Sequence, residues 1–117
     1  MRESYAKLLR ALYEERREIL GNIDKYLKLI KESVLEKDPN AKVILFGSFV
    51  RGNFRPDSDI DVLIISDLYG DDPHKYAELV NYIRDKIVHH SLFEFHVVTR
   101  KTYEEWYRKF IDVSREI

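Results

Sequence analysis

The chain contains no cysteine and no glutamine, and only four glycines, three prolines and one tryptophan among its 117 residues. Without cysteine there is no disulfide framework, no thiolate zinc site and no cysteine nucleophile, which fits a reducing compartment. No apolar run approaches the roughly 18 residues of a membrane span. Met1-Arg2-Glu3 leads straight into an amphipathic pattern with acidic residues, so no secretory leader is expected. The expectation is a cytoplasmic protein with no membrane partner. A dominant charge sign is also missing: 20 Lys and Arg face 21 Asp and Glu, for a net charge of −1. That balance provides no global attraction for nucleic acid. It leaves room for a local anionic ligand. The lack of glutamine, in a chain rich in Lys, Arg and Glu, is a bias of thermophile proteins.

What is present fits one domain spanning residues 1–117, since 44% of the residues are hydrophobic. Residues 4–37 have helical periodicity, with Tyr5, Leu8, Leu9 and Leu12 in one stripe and Ile23, Tyr26, Leu27, Ile30 and Val34 in another. Gly21-Asn22 breaks or kinks this segment, and Asp38-Pro39-Asn40 ends it. The N-terminal stripe is longer than a compact core needs. It predicts a dimer or a helical partner.

Residues 41–46 predict a buried strand, Gly47-Ser48 a turn, and Ser48 the N-cap of a short helix reaching Val50 or Arg51. Residues 59–66 predict a second strand, apolar on both faces and therefore central in a helix-covered sheet. Pro73 opens a helix to about His89, with Tyr76, Leu79, Val80, Ile83 and Ile87 as its apolar stripe. A third strand follows at 92–98. A last helix spans 102–117, capped by Thr102, with Trp106, Phe110 and Val113 on its buried side. The predicted class is α/β: a mixed sheet of about three or more strands packed by helices, with residues 41–98 as its core.

The chemistry concentrates in Gly47-Ser48-Phe49-Val50-Arg51-Gly52, then residues 53–57, then Ser58-Asp59-Ile60-Asp61. Aspartate is depleted in strands, yet two stand at i and i+2 at the mouth of the most apolar one. Alternation puts both on one face, their Cα atoms roughly 6.5 Å apart. Carboxylates so placed repel, and a hard divalent cation such as Mg²⁺ relieves the repulsion. The bland alternative is two solvated carboxylates at a strand end. Gly47 permits close backbone approach, and helix-start amides with a serine hydroxyl can receive phosphate. Alone, that turn would read as an ordinary strand-to-helix connection. Together, the two features bring a triphosphate and a metal to one place.

Gly47-Ser48-x-x-Arg51-Gly52 followed by Ser58-Asp59-Ile60-Asp61 resembles the signature of the polymerase-beta-like nucleotidyltransferases. It is most similar to the minimal nucleotidyltransferases of archaea and bacteria, which include the antitoxin partners of HEPN-domain proteins. The resemblance implies a mixed sheet packed by helices. It also implies a two-metal reaction using Mg²⁺ or Mn²⁺, in which an acceptor hydroxyl attacks the α-phosphate of a nucleoside triphosphate, with ATP expected. By position, Gly47 and Ser48 would bind triphosphate, while Asp59 and Asp61 would hold the metals; Ser58 and Arg51 are further candidates for the nucleotide, Arg51 otherwise pairing with an acidic neighbour or capping the short helix.

The family expects a third carboxylate on a later strand, usually an aspartate. Here that strand reads Phe93-Glu94-Phe95-His96-Val97-Val98, with Glu94 and His96 on one face. Glu94 is the candidate third ligand or base, and His96 is the alternative at the aspartate's place. Arg55 either reaches triphosphate or is a solvated loop cation. His89-His90 reads as a favourable charge near a helix C-terminus, and Tyr103, Trp106 and Tyr107 as packing or base stacking. Two functions follow: a nucleotidyltransferase acting on a hydroxyl acceptor, or an antitoxin-like nucleotide-binding subunit with weak or absent catalysis. A ligand-free structural α/β protein would leave the two strand aspartates unexplained.

Overall fold

The computed structural model describes residues 2–55, 57–87, 92–111 and 113–117. Helix α1 (Arg2–Gly21) and helix α2 (Ile23–Lys37) are separate, divided at Asn22. Strand β1 (Lys42–Phe46), helix α3 (Ser48–Arg51), strand β2 (Ile60–Ile65), helix α4 (Pro73–Lys86) and strand β3 (Phe93–Val98) follow. The sheet has four strands in the order β3-β2-β1-β4, where β4 is Ser114–Glu116. β1 lies antiparallel to β2 and β4, while β2 and β3 are parallel, with α4 in the crossover.

One face of the sheet holds Val43, Leu45, Ile60, Val62, Ile64, Phe93, Phe95 and Val97 against α2 and α4. β2 is buried on both faces, as its continuous apolar run requires. Ile60, Val62 and Ile64 have no exposed surface, and burying each such side chain is worth about 1.5–3 kcal/mol. Asp72 caps α4 by accepting from the His74 amide at 2.8 Å, with Pro73 in the first turn. Tyr76 of α4 donates to the Phe95 carbonyl at 2.6 Å, tying helix to strand. Buried Asp38, at the end of α2, accepts from Ser66 at 2.7 Å and so pins the far end of β2.

The opposite face carries a smaller cluster: Ile44, Leu63, Ile65 and Val98 under Phe46, Tyr103, Tyr107 and Ile111. Its cover departs from the expected C-terminal helix. Helix α5 (Arg100–Thr102) runs through a π-helical turn (Tyr103–Tyr107) into α6 (Arg108–Phe110), and the chain then becomes β4. Thr99, not Thr102, is the cap: its hydroxyl accepts from the Thr102 amide. Trp106, Phe110 and Val113 are exposed, and Trp106 stacks on Phe110. The inward residues are instead Tyr103, Tyr107 and Ile111, an equally helical spacing that periodicity could not separate from the first.

Other boundaries also shift. Asp59 stands just before β2, and α4 ends at Lys86 where extended Ile87 takes over. His89 and His90 lie outside the described residues. Ser48 is the first residue of α3, and Gly47 holds the cap position. In α1, Ile19 is buried, while Tyr5, Leu8, Leu9, Leu12 and Tyr13 are exposed. Among the described residues no helix is long and apolar enough to cross a membrane.

Candidate active site

The site lies where the cover of the second sheet face runs out. Period-2 alternation sends Asp61, Leu63 and Ile65 of β2 to that face, and the parallel partner β3 sends Glu94, His96 and Val98 there. Leu63, Ile65 and Val98 are buried under the C-terminal segment, leaving Asp61, Glu94 and His96 at the open end. The register sets Asp61 opposite Glu94 and Leu63 opposite His96. One ligand atom from each of Asp61, Glu94 and His96 lies within 4.8 Å of the others. His96 Nε2 is 3.5 Å from Asp61 Oδ1 and 3.8 Å from Glu94 Oε1. The imidazole ring is held between Phe46 and Tyr107, at centroid distances of 5.3 and 6.3 Å.

β1 delivers the glycine turn to this edge, because Phe46 pairs with Asp61 across the antiparallel ladder. Gly47 then adopts φ 82 and ψ −159, a region essentially reserved for glycine. A Cβ here would stand 2.3 Å from Asp61 Oδ2, so the glycine is required twice: by its backbone and by the carboxylate against it. Ser48 follows at the start of α3, half-buried, and Arg51 is exposed at the end of that helix. Ser58 shapes the next loop by accepting from the Arg55 amide at 3.1 Å.

Asp59 does not join the three-residue cluster. Its Oδ1 faces the Arg16 guanidinium at 3.4 Å, and Arg16 also donates to the Ser58 carbonyl. Arg16 was not legible as a site residue. It sits in the charged run Glu14-Glu15-Arg16-Arg17-Glu18, which reads as a solvated helix face, and its partner is 43 positions away.

The cluster fits a divalent cation. Burial raises the Asp61 pKa, the neighbouring Glu94 charge pushes it the same way, and His96 opposes both. His96 Nε2 is buried and makes no hydrogen bond, although buried polar atoms are normally paired. A cation shared by Asp61, Glu94 and His96 answers the repulsion and the orphaned nitrogen together.

The nucleotidyltransferase domain family matches residues 27–117. The chain belongs to this family. It is a polymerase-beta-like nucleotidyltransferase, as the Gly47 to Asp61 pattern led one to expect. A solved structure described as a "putative nucleotidyltransferase" superposes with a TM-score of 0.64 at 35% identity, covering 78% of this chain and 96% of that one. A second structure, described as a "putative nucleotidyltransferase" from Sulfolobus solfataricus, shares the fold: TM-score 0.58 at 21% identity, covering 90% of this chain and 84% of that one. A Methanocaldococcus jannaschii protein named "putative protein adenylyltransferase" is 46% identical over an alignment of 44 positions, with coverage of 33% of this chain and 44% of that protein. The chain therefore spans less than half the length of that curated relative. Nucleotidyltransferases of this family use a divalent metal and a nucleoside triphosphate, in keeping with the donor set around Asp61.

Proposed function

We propose that this nucleotidyltransferase moves AMP from ATP onto a hydroxyl group, with the acceptor on a partner protein. One observation carries the reading: Asp61, Glu94 and His96 converge beside the glycine turn at Gly47. The acceptor oxygen attacks the α-phosphorus, a new P–O bond forms, the bond to the β-phosphate breaks, and pyrophosphate leaves. Glu94, the most exposed of the three, accepts the hydroxyl proton. Gly47 and Ser48 admit the triphosphate to the carboxylates. Ser58 holds the intervening loop in shape, and Arg51 adds positive charge at the rim. Asp61, Glu94 and His96 would hold Mg²⁺ or Mn²⁺, with Asp59 joining them once Arg16 releases it, and the ion when bound neutralises charge developing on the phosphoryl oxygens. Imidazole among the ligands suits Mn²⁺ better than Mg²⁺.

The curated relative's name, protein adenylyltransferase, supports a protein acceptor. In this reading residues 1–117 work as one cytoplasmic domain, and the exposed stripe of α1 takes a second copy or a HEPN-type partner. A specific observation also favours the antitoxin-like alternative. Asp59 is engaged by Arg16, so one expected metal ligand is committed elsewhere. The deciding experiment uses α-labelled ATP with Mn²⁺ or Mg²⁺ and the product of the neighbouring gene. Covalent label on that protein, lost with Asp61→Asn, is the expected result. Tight ATP binding with no label on any protein would leave the binding-subunit reading in its place.

A further inference from the structure

Helix α1 precedes the matched family span of residues 27–117, yet one of its side chains touches the aspartate motif. Arg16 brings both terminal guanidinium nitrogens to the same oxygen, Asp59 Oδ1, at 3.4 and 3.5 Å. The two partners are not seated alike: the Arg16 side chain is 19% exposed and that of Asp59 46%. Arg16 is anchored by its donation to the Ser58 carbonyl and by Ile19, fully buried one turn further along the helix. Asp59 stands in the chain leading into β2, with more room to turn. In extended backbone its Cα is roughly 6.5 Å from that of Asp61. A change of rotamer therefore carries its carboxylate toward the cluster of Asp61, Glu94 and His96, or away from it.

A guanidinium and a divalent cation compete for such a carboxylate. Arginine only donates, so it cannot ligate a metal, and its charge repels a cation beside it. Mg²⁺ or Mn²⁺ needs oxygen lone pairs, and Asp59 Oδ1 directs its own to Arg16. The contact is also long beside the roughly 2.7–2.9 Å of a strong charge-assisted pair, so it can be opened. We propose that α1 is an autoinhibitory latch: Arg16 holds Asp59 off the metal cluster, and the latched chain offers a cation an incomplete ligand set. The proposal rests on the nucleotidyl-transfer reading for its consequence, since a missing metal ligand restrains only a metal-dependent enzyme. Release of Arg16 is then a step ahead of catalysis, set by a helix outside the matched span.

The test is calorimetry of Mn²⁺ binding to the full chain without nucleotide. Arg16→Gln keeps an amide donor for the Ser58 carbonyl and removes the charge facing Asp59. An exposed ion pair is worth a factor of about two to five, so Arg16→Gln tightens Mn²⁺ by about that factor. Arg17→Gln, the same loss of charge at the exposed next residue, leaves the affinity as in the parent. Asp59→Asn tests the latch without touching α1. In the parent it weakens Mn²⁺ by less than about twofold, and in the Arg16→Gln background it removes the whole gain. Unchanged affinity in Arg16→Gln makes the pair merely structural and overturns the latch. Weaker binding overturns it too, because Arg16 then positions Asp59 for the metal. An equal gain in Arg17→Gln, or a larger loss for Asp59→Asn in the parent, also refutes it. If Arg16→Gln gains Mn²⁺ affinity but neither it nor the parent labels any protein, the latch stands and the transfer reading falls. If the parent transfers label and Arg16→Gln leaves Mn²⁺ affinity unchanged, the transfer reading stands and the latch falls.

Discussion

Replacing Gly47 by alanine separates backbone strain from damage to the site. Gly47 and Gly52 both have positive φ, 82° and 85°. Their surroundings differ: a Cβ at Gly47 meets Asp61 Oδ2 at 2.3 Å, whereas a Cβ at Gly52 meets nothing within 4 Å. Alanine in the conformation of Gly52 costs about 1–2 kcal/mol of stability. At Gly47, with ψ near −159, the strain is about 1–3 kcal/mol. The clash falls on the end of a side chain, so Asp61 swings away for only about 0.5–1.5 kcal/mol more. Gly47→Ala should therefore unfold at the lower urea midpoint of the two, and only Gly47→Ala should displace the carboxylate. Displacing groups that orient a ligand costs roughly 10–100-fold in metal affinity. Mn²⁺ titration should show that loss for Gly47→Ala and near-parental affinity for Gly52→Ala. In an Asp61→Ala background the extra effect at Gly47 should vanish, because its collision partner is gone. Parental Mn²⁺ affinity in Gly47→Ala, or an undiminished effect in the Asp61→Ala background, would refute the reasoning.

The raised Asp61 pKa means that its ionised form costs folding stability, a cost relieved as pH falls through the folded value. Asp61→Asn should therefore raise the metal-free melting temperature, by roughly 2–8 °C, while weakening metal binding; a lowered melting point would contradict this. His96→Asn should shift preference from Mn²⁺ toward Mg²⁺, read as a ratio of calorimetric affinities; an unchanged ratio removes the imidazole from the ligand set. At the α2–α4 surface, hydrogen bonds from Lys86 and Tyr82 lower the Glu36 pKa. Its contribution is present above the unfolded carboxylate pKa and lost as pH falls through the folded one. Glu36→Gln should flatten the acid limb of melting temperature against pH, and an unaltered limb would exclude the contact as a source. Leu8→Glu with Leu12→Glu should turn an associating species into a monomer by sedimentation, since both side chains are exposed on α1; a parental monomer would dispose of the self-association reading.

The three central strands were legible because β1, β2 and β3 carry apolar runs that must be buried, while their order and direction came only from the structure. Asp59 and Asp61 could be singled out because acids at the mouth of a buried strand break a local rule, and Gly47 because a glycine turn follows the preceding strand; Glu94 came only from the third carboxylate that the family resemblance implies. The C-terminal region resisted for physical reasons. β4 is three polar residues, Ser114-Arg115-Glu116, held by backbone pairing to β1 and not by any apolar pattern. Tyr103, Tyr107 and Ile111 recur at a helical spacing as readily as Trp106 and Phe110 do, so periodicity alone could not choose the inward set, and the structure turns Trp106 and Phe110 out. The Arg16–Asp59 contact joins segments with no local signature, and only the path of α1 across the Ser58 loop reveals it.

That path gives α1 a mechanical character. Its C-terminal end is seated through Ile19 and Arg16, while its outer half presents Tyr5, Leu8, Leu9 and Leu12 to solvent. At 1.5 Å per residue, about 16 Å of stiff rod separates Tyr5 from Arg16. Were a partner to grip the outer half and tilt the rod, it would move the guanidinium that faces Asp59. Linkage makes the traffic two-way: whatever factor such a tilting grip applies to ligand affinity at Asp59, the ligand applies to the grip.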